Sequence, residues 1–295
     1  MLRRSVFPVL AAGLLSDSSG ASATPEHGAK SLDRFVGSGG TALLVDVRTR
    51  RLIAIGRPDS AARSLSPPGS TLKPFVLAAL IESGRLQSSA SFPCPTRLRI
   101  AGRALDCSHP KLAVPVQIDT ALAYSCNCFV AHVAENFPPG ALARELTGLG
   151  FTSRAGIAGD DEAAGRVAFA STLDAQRLQA LGENGILVTP AELAIAYCRL
   201  VVRIDHPEMR PIRAGLEEAV EFGTAQNAGV PGVKVAGKTG SVLTPGGEPM
   251  AWFAGFLPST APEVVITVML PGRSGGGDAA PLARDILMAY RSGSL

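Results

Sequence analysis

The chain has 295 residues, of which 46% are apolar and 18% charged, and a net charge of +3. That composition excludes a disordered or fibrous chain and leaves enough apolar side chains for a substantial core. Basic residues are scattered and aromatic ones make up only 5%, so neither a basic stripe nor a stacking platform for nucleic acid is expected.

The N-terminus reads as an export signal over residues 1–23. Arg3 and Arg4 precede an apolar run from Ser5 to Leu15, and Ala21-Ser22-Ala23 fits a small-residue cleavage site. The run is too short to span a bilayer, which takes about 20 apolar residues, and no later segment is long and apolar enough. No transmembrane anchor is therefore expected, and the folded part is placed in the periplasm or the extracytoplasmic envelope. Residues 24–40 read as a flexible lead-in ending in Gly37-Ser38-Gly39-Gly40, and residues 41–295 as the folded domain.

Thr41 to Val47 and Arg51 to Ile55 are β-prone runs joined by Arg48-Thr49-Arg50, a hairpin signature. After Pro67-Pro68-Gly69, the segment Ser70 to Ser83 is apolar nearly all round, which predicts a buried helix. Pro74 falls in its first turn, where a missing N–H costs little, and Gly84 stops it. Thr96 to Leu105 reads as a small hairpin around Gly102, flanked by Cys94 and Cys107. In an exported chain these two are the expected disulfide, while Cys126, Cys128 and Cys198 read as buried thiols. A zinc site built from Cys94, Cys107, His109 and a fourth ligand lacks a supporting C-x-x-C pair, so no metal and no cofactor are expected.

Val116 to Asn136 reads as one helical segment. Thr189-Pro190-Ala191-Glu192 is a capping box opening a helix through Val202, and Ala214 to Phe222 is a further short helix. Strands return at Val233 to Thr239, Ala251 to Leu257 and Val264 to Leu270, and a last helix spans Ala279 to Tyr290. Strands at both ends around a helical middle predict an α/β chain of the α+β type. Its central antiparallel sheet is flanked by helices and carries an inserted helical subdomain.

Three short strings bear chemistry: Ser70-Thr71-Leu72-Lys73, Ser125-Cys126-Asn127 and Lys238-Thr239-Gly240. A serine hydroxyl needs a neighbouring base, and residues three apart share a helix face, so Lys73 can reach Ser70. Lys73 is a base only when neutral; burial and a second cation, Lys238, both favour that form. Ser125 and Asn127, two apart, border one cleft only where the helix bends or ends. Gly237 and Gly240 leave room for a ligand's backbone to approach.

Two other strings fit nucleophile patterns and fail on context. Ser108-His109-Pro110-Lys111 also spells S-x-x-K, yet Pro110 sits inside it and no apolar helix follows, so Ser108 reads as a loop residue. Gly272-Arg273-Ser274-Gly275-Gly276 fits G-x-S-x-G, but that elbow needs a later histidine and none occurs beyond His206. It reads as a flexible loop.

With its three strings in this order, the chain resembles the penicillin-binding protein transpeptidase domain, within the superfamily of serine β-lactamases and D-Ala-D-Ala peptidases. The likeness runs from about Thr41 to Met288. It includes Ser66-Pro67-Pro68-Gly69-Ser70, Val188-Thr189-Pro190 and Ala251-Trp252-Phe253-Ala254-Gly255. The resemblance implies a β-lactamase/transpeptidase-like fold and a site of Ser70, Lys73, Ser125, Asn127 and Lys238. Ser70 would be the nucleophile on the penultimate D-Ala carbonyl of a peptidoglycan stem peptide, with Lys73 as its base. Ser125 would relay a proton to the leaving amine, and Asn127 would hold the substrate amide and Lys73. Lys238, Thr239, Gly240 and Ser241 would bind the substrate, and the backbone N–H groups of Ser70 and Ser241 would form an oxyanion hole. Stem peptides and β-lactams are the implied partners, and DD-transpeptidase or DD-carboxypeptidase the implied activity. No glycosyltransferase or pedestal segment is recognised ahead of the domain.

Two alternatives stand beside that reading. A β-lactamase must deacylate by water. The stretch expected to carry a class A glutamate reads Asp160-Asp161-Glu162-Ala163-Ala164-Gly165-Arg166 without the asparagine of E-x-x-x-N, and Ser125-Cys126-Asn127 is not the S-x-V of class D. A non-catalytic β-lactam or wall-binding sensor would keep the cleft, but here every expected catalytic side chain is present.

Overall fold

The computed structural model describes residues 28–295, so the expected export signal and residues 24–27 lie outside the described residues. Its centre is a six-stranded sheet built from both ends of the chain. The strands are β1 (Lys30–Ser31), β2 (Thr41–Asp46), β3 (Leu52–Gly56), β4 (Ala236–Leu243), β5 (Pro249–Leu257) and β6 (Val264–Pro271), in spatial order β1-β3-β2-β6-β5-β4.

All neighbours are antiparallel except β1, which lies parallel to β3 with Lys30 opposite Ala54. The central sheet is thus antiparallel as expected, and the short parallel edge strand β1 makes it formally mixed. The lead-in departs from expectation. Leu32 and Val36 are buried around a short helix at Asp33–Val36, and Leu32 N–H donates to Ile55 O at 2.9 Å. Two apolar residues four apart supply one helical contact face, a signal drowned by the surrounding glycine and polar residues.

Both faces of the sheet are covered. Along β2, Leu43 and Val45 face a core holding Phe75, Leu77 and Tyr197, while Ala42 and Leu44 face a second core holding Ile286 and Leu287. A strand buried on both faces reads as a continuous apolar run rather than an alternation, as Thr41-Ala42-Leu43-Leu44-Val45 does. The hairpin turn is fixed by Asp46, whose carboxylate accepts from Thr49 N–H at 2.6 Å and Thr49 Oγ1 at 2.7 Å. These bonds hold the Asp46 carboxyl below its ordinary value, with the Thr49 backbone bond the largest cause.

Between β3 and β4 lie most of the helices. α1 (Lys73–Glu82) is buried along Lys73 to Ile81, with Pro74 in its first turn and Gly84 just beyond it at φ +67°. The segment expected as one helix over Val116 to Asn136 is broken into α2 (Ile118–Ala123) and α3 (Asn127–Ala134). α4 (Pro190–Arg203) opens on the expected capping box, with Thr189 Oγ1 accepting from Glu192 N–H at 3.1 Å and Glu192 Oε2 accepting from Thr189 N–H at 2.8 Å. α5 (Arg210–Glu221) starts earlier than expected because Pro211 occupies its first turn. α6 (Ala280–Arg291) closes the chain after a π-helical turn at Gly275–Ala279.

Candidate active site

The strings that bear chemistry meet in one cleft of about 400 Å³, lined by Ser70, Ser125, Asn127, Thr239 and Ser241 among others. Its floor is the start of α1. Ser70 sits on a 3-10 turn, Gly69–Leu72, one turn before Lys73. Three contacts hold that turn. Gly69 adopts φ +55° and its N–H donates to Gly182 O at 3.1 Å. Thr71 Oγ1 donates to Pro68 O at 2.6 Å, and the buried Tyr197 hydroxyl donates to Thr71 O at 3.0 Å. Tyr197 is itself wedged edge-on against Phe75, with ring centroids 5.2 Å apart. Its phenol is pushed up by burial, so it stays a donor.

Lys73 is fully buried, and its amine donates to Ser125 O at 2.7 Å, Ser125 Oγ at 3.2 Å and Asn127 Oδ1 at 2.5 Å. Its pKa is lowered from 10.5 to about 8 by burial, against the opposing pull of Cys126, Cys107, Glu183 and Cys128. Lys238 is also fully buried. Burial first and repulsion from Lys73 second push its pKa well below the ordinary value. Two amines in one dry region cannot both hold charge cheaply.

The second string reaches the cleft because the helix breaks there. Ser125 adopts φ +57°, a left-handed conformation costing an L-residue about 1–2 kcal/mol. The turn is held on both sides. Cys126 N–H donates to Ala121 O at 2.8 Å, Ala123 O accepts from Thr224 N–H at 3.0 Å, and Cys126 Sγ caps α3 by accepting from Phe129 N–H at 3.4 Å. The result turns Ser125 and Asn127, two apart in sequence, toward one amine. Asn127 Nδ2 donates to Leu105 O at 3.0 Å, which fixes the amide with its oxygen toward Lys73.

β4 is the edge strand and forms the opposite wall. Thr239 Oγ1 donates to Thr224 Oγ1 at 3.0 Å, and Gly275 N–H donates to Ser241 Oγ at 2.9 Å. The glycines of this string pack the protein rather than make room for a ligand. A Cβ at Gly237 would lie 2.4 Å from the Phe253 ring, and one at Gly240 would lie 2.8 Å from Pro68 O. Gly240 thus lets β4 press against the turn carrying Ser70.

Several cleft residues carried no recognisable sequence signal: Asp106, Glu183 and Thr224. Ser108, read as a loop residue, also lines the cleft, as does Ser274 from the rejected elbow string. The loop at Gly272–Gly276 is a built wall. Asp278 Oδ2 accepts from the N–H groups of Arg273 and Ser274, both at 2.9 Å, and Ser274 Oγ accepts from Gly277 N–H at 3.1 Å. Glu162 lies elsewhere, its carboxylate taking three N–H groups from Gly156, Ile157 and Ala158. Cys94 and Cys107 are free thiols with sulfurs 3.7 Å apart, far beyond the 2.05 Å of a disulfide, so the expected bond is not formed. Both sulfurs also lie close to Cys126, and Cys107 close to Cys128 as well, a crowding that sequence spacing alone does not disclose.

A serine on a helix-opening turn, a buried lysine and an edge strand bearing Lys-Thr-Gly thus come together in an α+β fold. The sequence matches the family model of the penicillin-binding protein transpeptidase domain over residues 40–288, and the chain belongs to that family. It is similar to a probable peptidoglycan D,D-transpeptidase, PbpC, of Pseudomonas aeruginosa. The two are 26% identical over 88% of this chain and 54% of the relative, so the chain spans about half the length of that curated relative.

Solved structures agree on the fold. The transpeptidase domain of Burkholderia pseudomallei penicillin-binding protein 3 superposes with a TM-score of 0.76 at 21% identity, covering 88% of this chain and 89% of that one. Pseudomonas aeruginosa PBP2, solved in complex with WCK 5153, gives 0.77 at 19% identity, covering 87% and 72%. Among the described residues no helix is long and apolar enough to cross a membrane.

Proposed function

We propose that this chain is an active-site serine acyltransferase acting on D-Ala-D-Ala stem peptides of peptidoglycan, as a DD-transpeptidase or DD-carboxypeptidase, and that penicillins acylate it. The carrying observation is the Lys73 amine, buried and bound to Ser125 and Asn127, one turn beyond a cleft-lining serine. Neutral Lys73 takes the proton of Ser70 as its oxygen adds to the penultimate D-Ala carbonyl. The oxyanion is held by the N–H groups of Ser70 and Ser241, each such donor being worth about 3–4 kcal/mol in comparable sites. Collapse breaks the C–N bond. Ser125 passes a proton to the departing D-Ala amine, which leaves a seryl ester for attack by water or an amine. Lys238, Thr239 and Ser241 take the substrate's terminal carboxylate, Gly240 letting their strand reach it, and export would bring the site to its substrate outside the cytoplasm.

The acids near the cleft support a long-lived ester. Glu162, away from the cleft, is taken up by three backbone N–H groups, while of the cleft's own acids Asp106 accepts from Leu98 N–H at 2.8 Å and Glu183 pairs with Arg103 at 3.0 Å. These partners favour slow loss of the ester to water over rapid turnover.

The test is intact mass over hours with a labelled penicillin, in the wild type and in Ser70→Ala. A persistent adduct confined to the wild type is expected. Rapid turnover of the drug would make the protein a β-lactamase, and no adduct would refute acyl-enzyme chemistry with penicillin. Products from a D-Ala-D-Ala peptide, with and without an amine, then separate transfer from hydrolysis.

A further inference from the structure

Behind the Ser125–Asn127 turn, four side chains from three stretches of chain converge: Cys94, Cys107, His109 and Cys126, whose donor atoms all lie within 4.8 Å of one another. The sulfurs of Cys94, Cys107 and Cys126 form a near-equilateral triangle with sides of 3.7, 3.7 and 3.5 Å, and His109 Nε2 stands 3.8 Å from Cys94 Sγ. Tetrahedral zinc with Zn–S near 2.3 Å sets its sulfur ligands about 3.8 Å apart. Three thiols meeting at that spacing satisfy no disulfide, since one bond would use two sulfurs at about 2 Å and strand the third.

The histidine is prepared for the same task. Its Nδ1 is 2.8 Å from Pro110 O, and a proline carbonyl can only accept. Nδ1 therefore carries the proton, and Nε2 turns its lone pair toward the sulfurs. This is the backbone-oriented imidazole found behind metal-bound histidines. His109 and Cys126 are buried, Cys94 and Cys107 half-buried, so the cluster is shielded yet reachable.

We infer that Cys94, Cys107, His109 and Cys126 form a structural zinc site that clamps the Ser125–Asn127 turn to the loop over residues 94–109. Soft sulfur with imidazole selects zinc over magnesium or calcium, and four protein ligands leave no open position for chemistry on the metal. Binding releases the three thiol protons, with neutral His109 as the fourth ligand. Cys126 lies between Ser125 and Asn127 in sequence, and Asn127 already donates to Leu105 O of the same loop. The metal would thus hold the left-handed Ser125 in place from behind, as a positioning element. The inference stands whether or not the acyl-transfer reading holds, since its primary readout is metal content.

The full chain, purified with reductant, loaded with Zn²⁺ and dialysed into metal-free buffer, is expected to retain one zinc per chain. Co²⁺ in its place should give the visible thiolate-to-cobalt absorption of a tetrahedral sulfur site. Cys94→Ser and His109→Ala should each weaken zinc binding by about 100-fold or more, beyond the 10–100-fold cost of losing an outer-shell partner. Cys198→Ser, remote from the cluster, and Cys128→Ser, outside the four, should keep the metal. Protease cleavage within residues 94–112 should rise when zinc is stripped from the wild type. A folded wild type that holds no zinc, or whose mass is lower by two hydrogens through a Cys94–Cys107 disulfide, would overturn the inference. So would zinc retained in His109→Ala but lost in Cys128→Ser.

Discussion

The most exposing test of the site is the pH dependence of acylation, because it reads the one group whose protonation the proposed mechanism requires. The Lys73 amine, at 10.5 when unperturbed, sits at about 8 in the folded protein, with burial as the chief cause. At pH 7 about one amine in ten is then neutral, against roughly one in three thousand for a solvated lysine. That gain of about 300-fold corresponds to about 3 kcal/mol. The acylation rate constant with penicillin, followed by stopped flow, should rise close to tenfold per pH unit on the acid side and level off above about pH 8.

The same shift has a stability counterpart. Because the folded-state value is below the unfolded one, the unfolded chain binds more protons between about pH 8 and 10.5, so unfolding free energy rises with pH across that window. Below pH 8 the buried amine costs the fold about 3 kcal/mol. Lys73→Met should abolish both the rate limb and that stability slope. A Ser70-dependent adduct forming at a rate that is flat from about pH 6 to 9 would refute Lys73 as the base.

Three further outcomes follow from individual contacts. Lys238, depressed by burial and by Lys73, should regain a proton when an anionic carboxylate arrives. Calorimetry of carboxylate-ended ligand binding in buffers of different ionisation enthalpy should then show proton uptake on the alkaline side of the free-site value. Binding with no proton exchange at any pH would deny Lys238 that contact. Ser125→Gly should raise stability by up to about 1 kcal/mol by relieving φ +57°, yet slow acylation by about 10²-fold through loss of the relay oxygen. If both measurements fall together, the turn is not strained as described. Tyr197→Phe removes the hydroxyl that donates to Thr71 O and should cost about 1 kcal/mol in denaturant unfolding, with a fall in acylation because the Ser70 turn loses its support.

Local rules carried the sheet and most helices. The apolar runs of β2, β3, β5 and β6, the capping box at Thr189 and the prolines that open α1 and α4 each state their structure within a few residues. Such signals survive because the interaction that fixes them is itself local. α5 begins at Arg210 rather than Ala214, because Pro211 fits the first turn of a helix, where its missing N–H costs nothing. β1 escaped because a two-residue strand carries too little pattern to stand out, and only pairing with Ala54 and Ile55 makes it one.

The site was legible in its parts and not in its assembly, and Ser125 shows why. Nothing local ends a helix at Tyr124. Residues 118–134 lack proline and glycine, and cysteine is not among the preferred capping residues. The break exists because Thr224 takes the Ala123 carbonyl from a position a hundred residues downstream, because Lys73 draws the Ser125 carbonyl, and because Cys126 meets Cys94 and Cys107. Each of these is a long-range contact, and together they outweigh the 1–2 kcal/mol that an L-residue gives up in the left-handed region. The strain is placed where the proposed reaction needs it. A regular helix would separate Ser125 and Asn127 by about 200° around its axis, so only one could face the lysine. The break puts both on the same amine, and the sulfur–imidazole cluster immediately behind it is the structure's means of keeping it there.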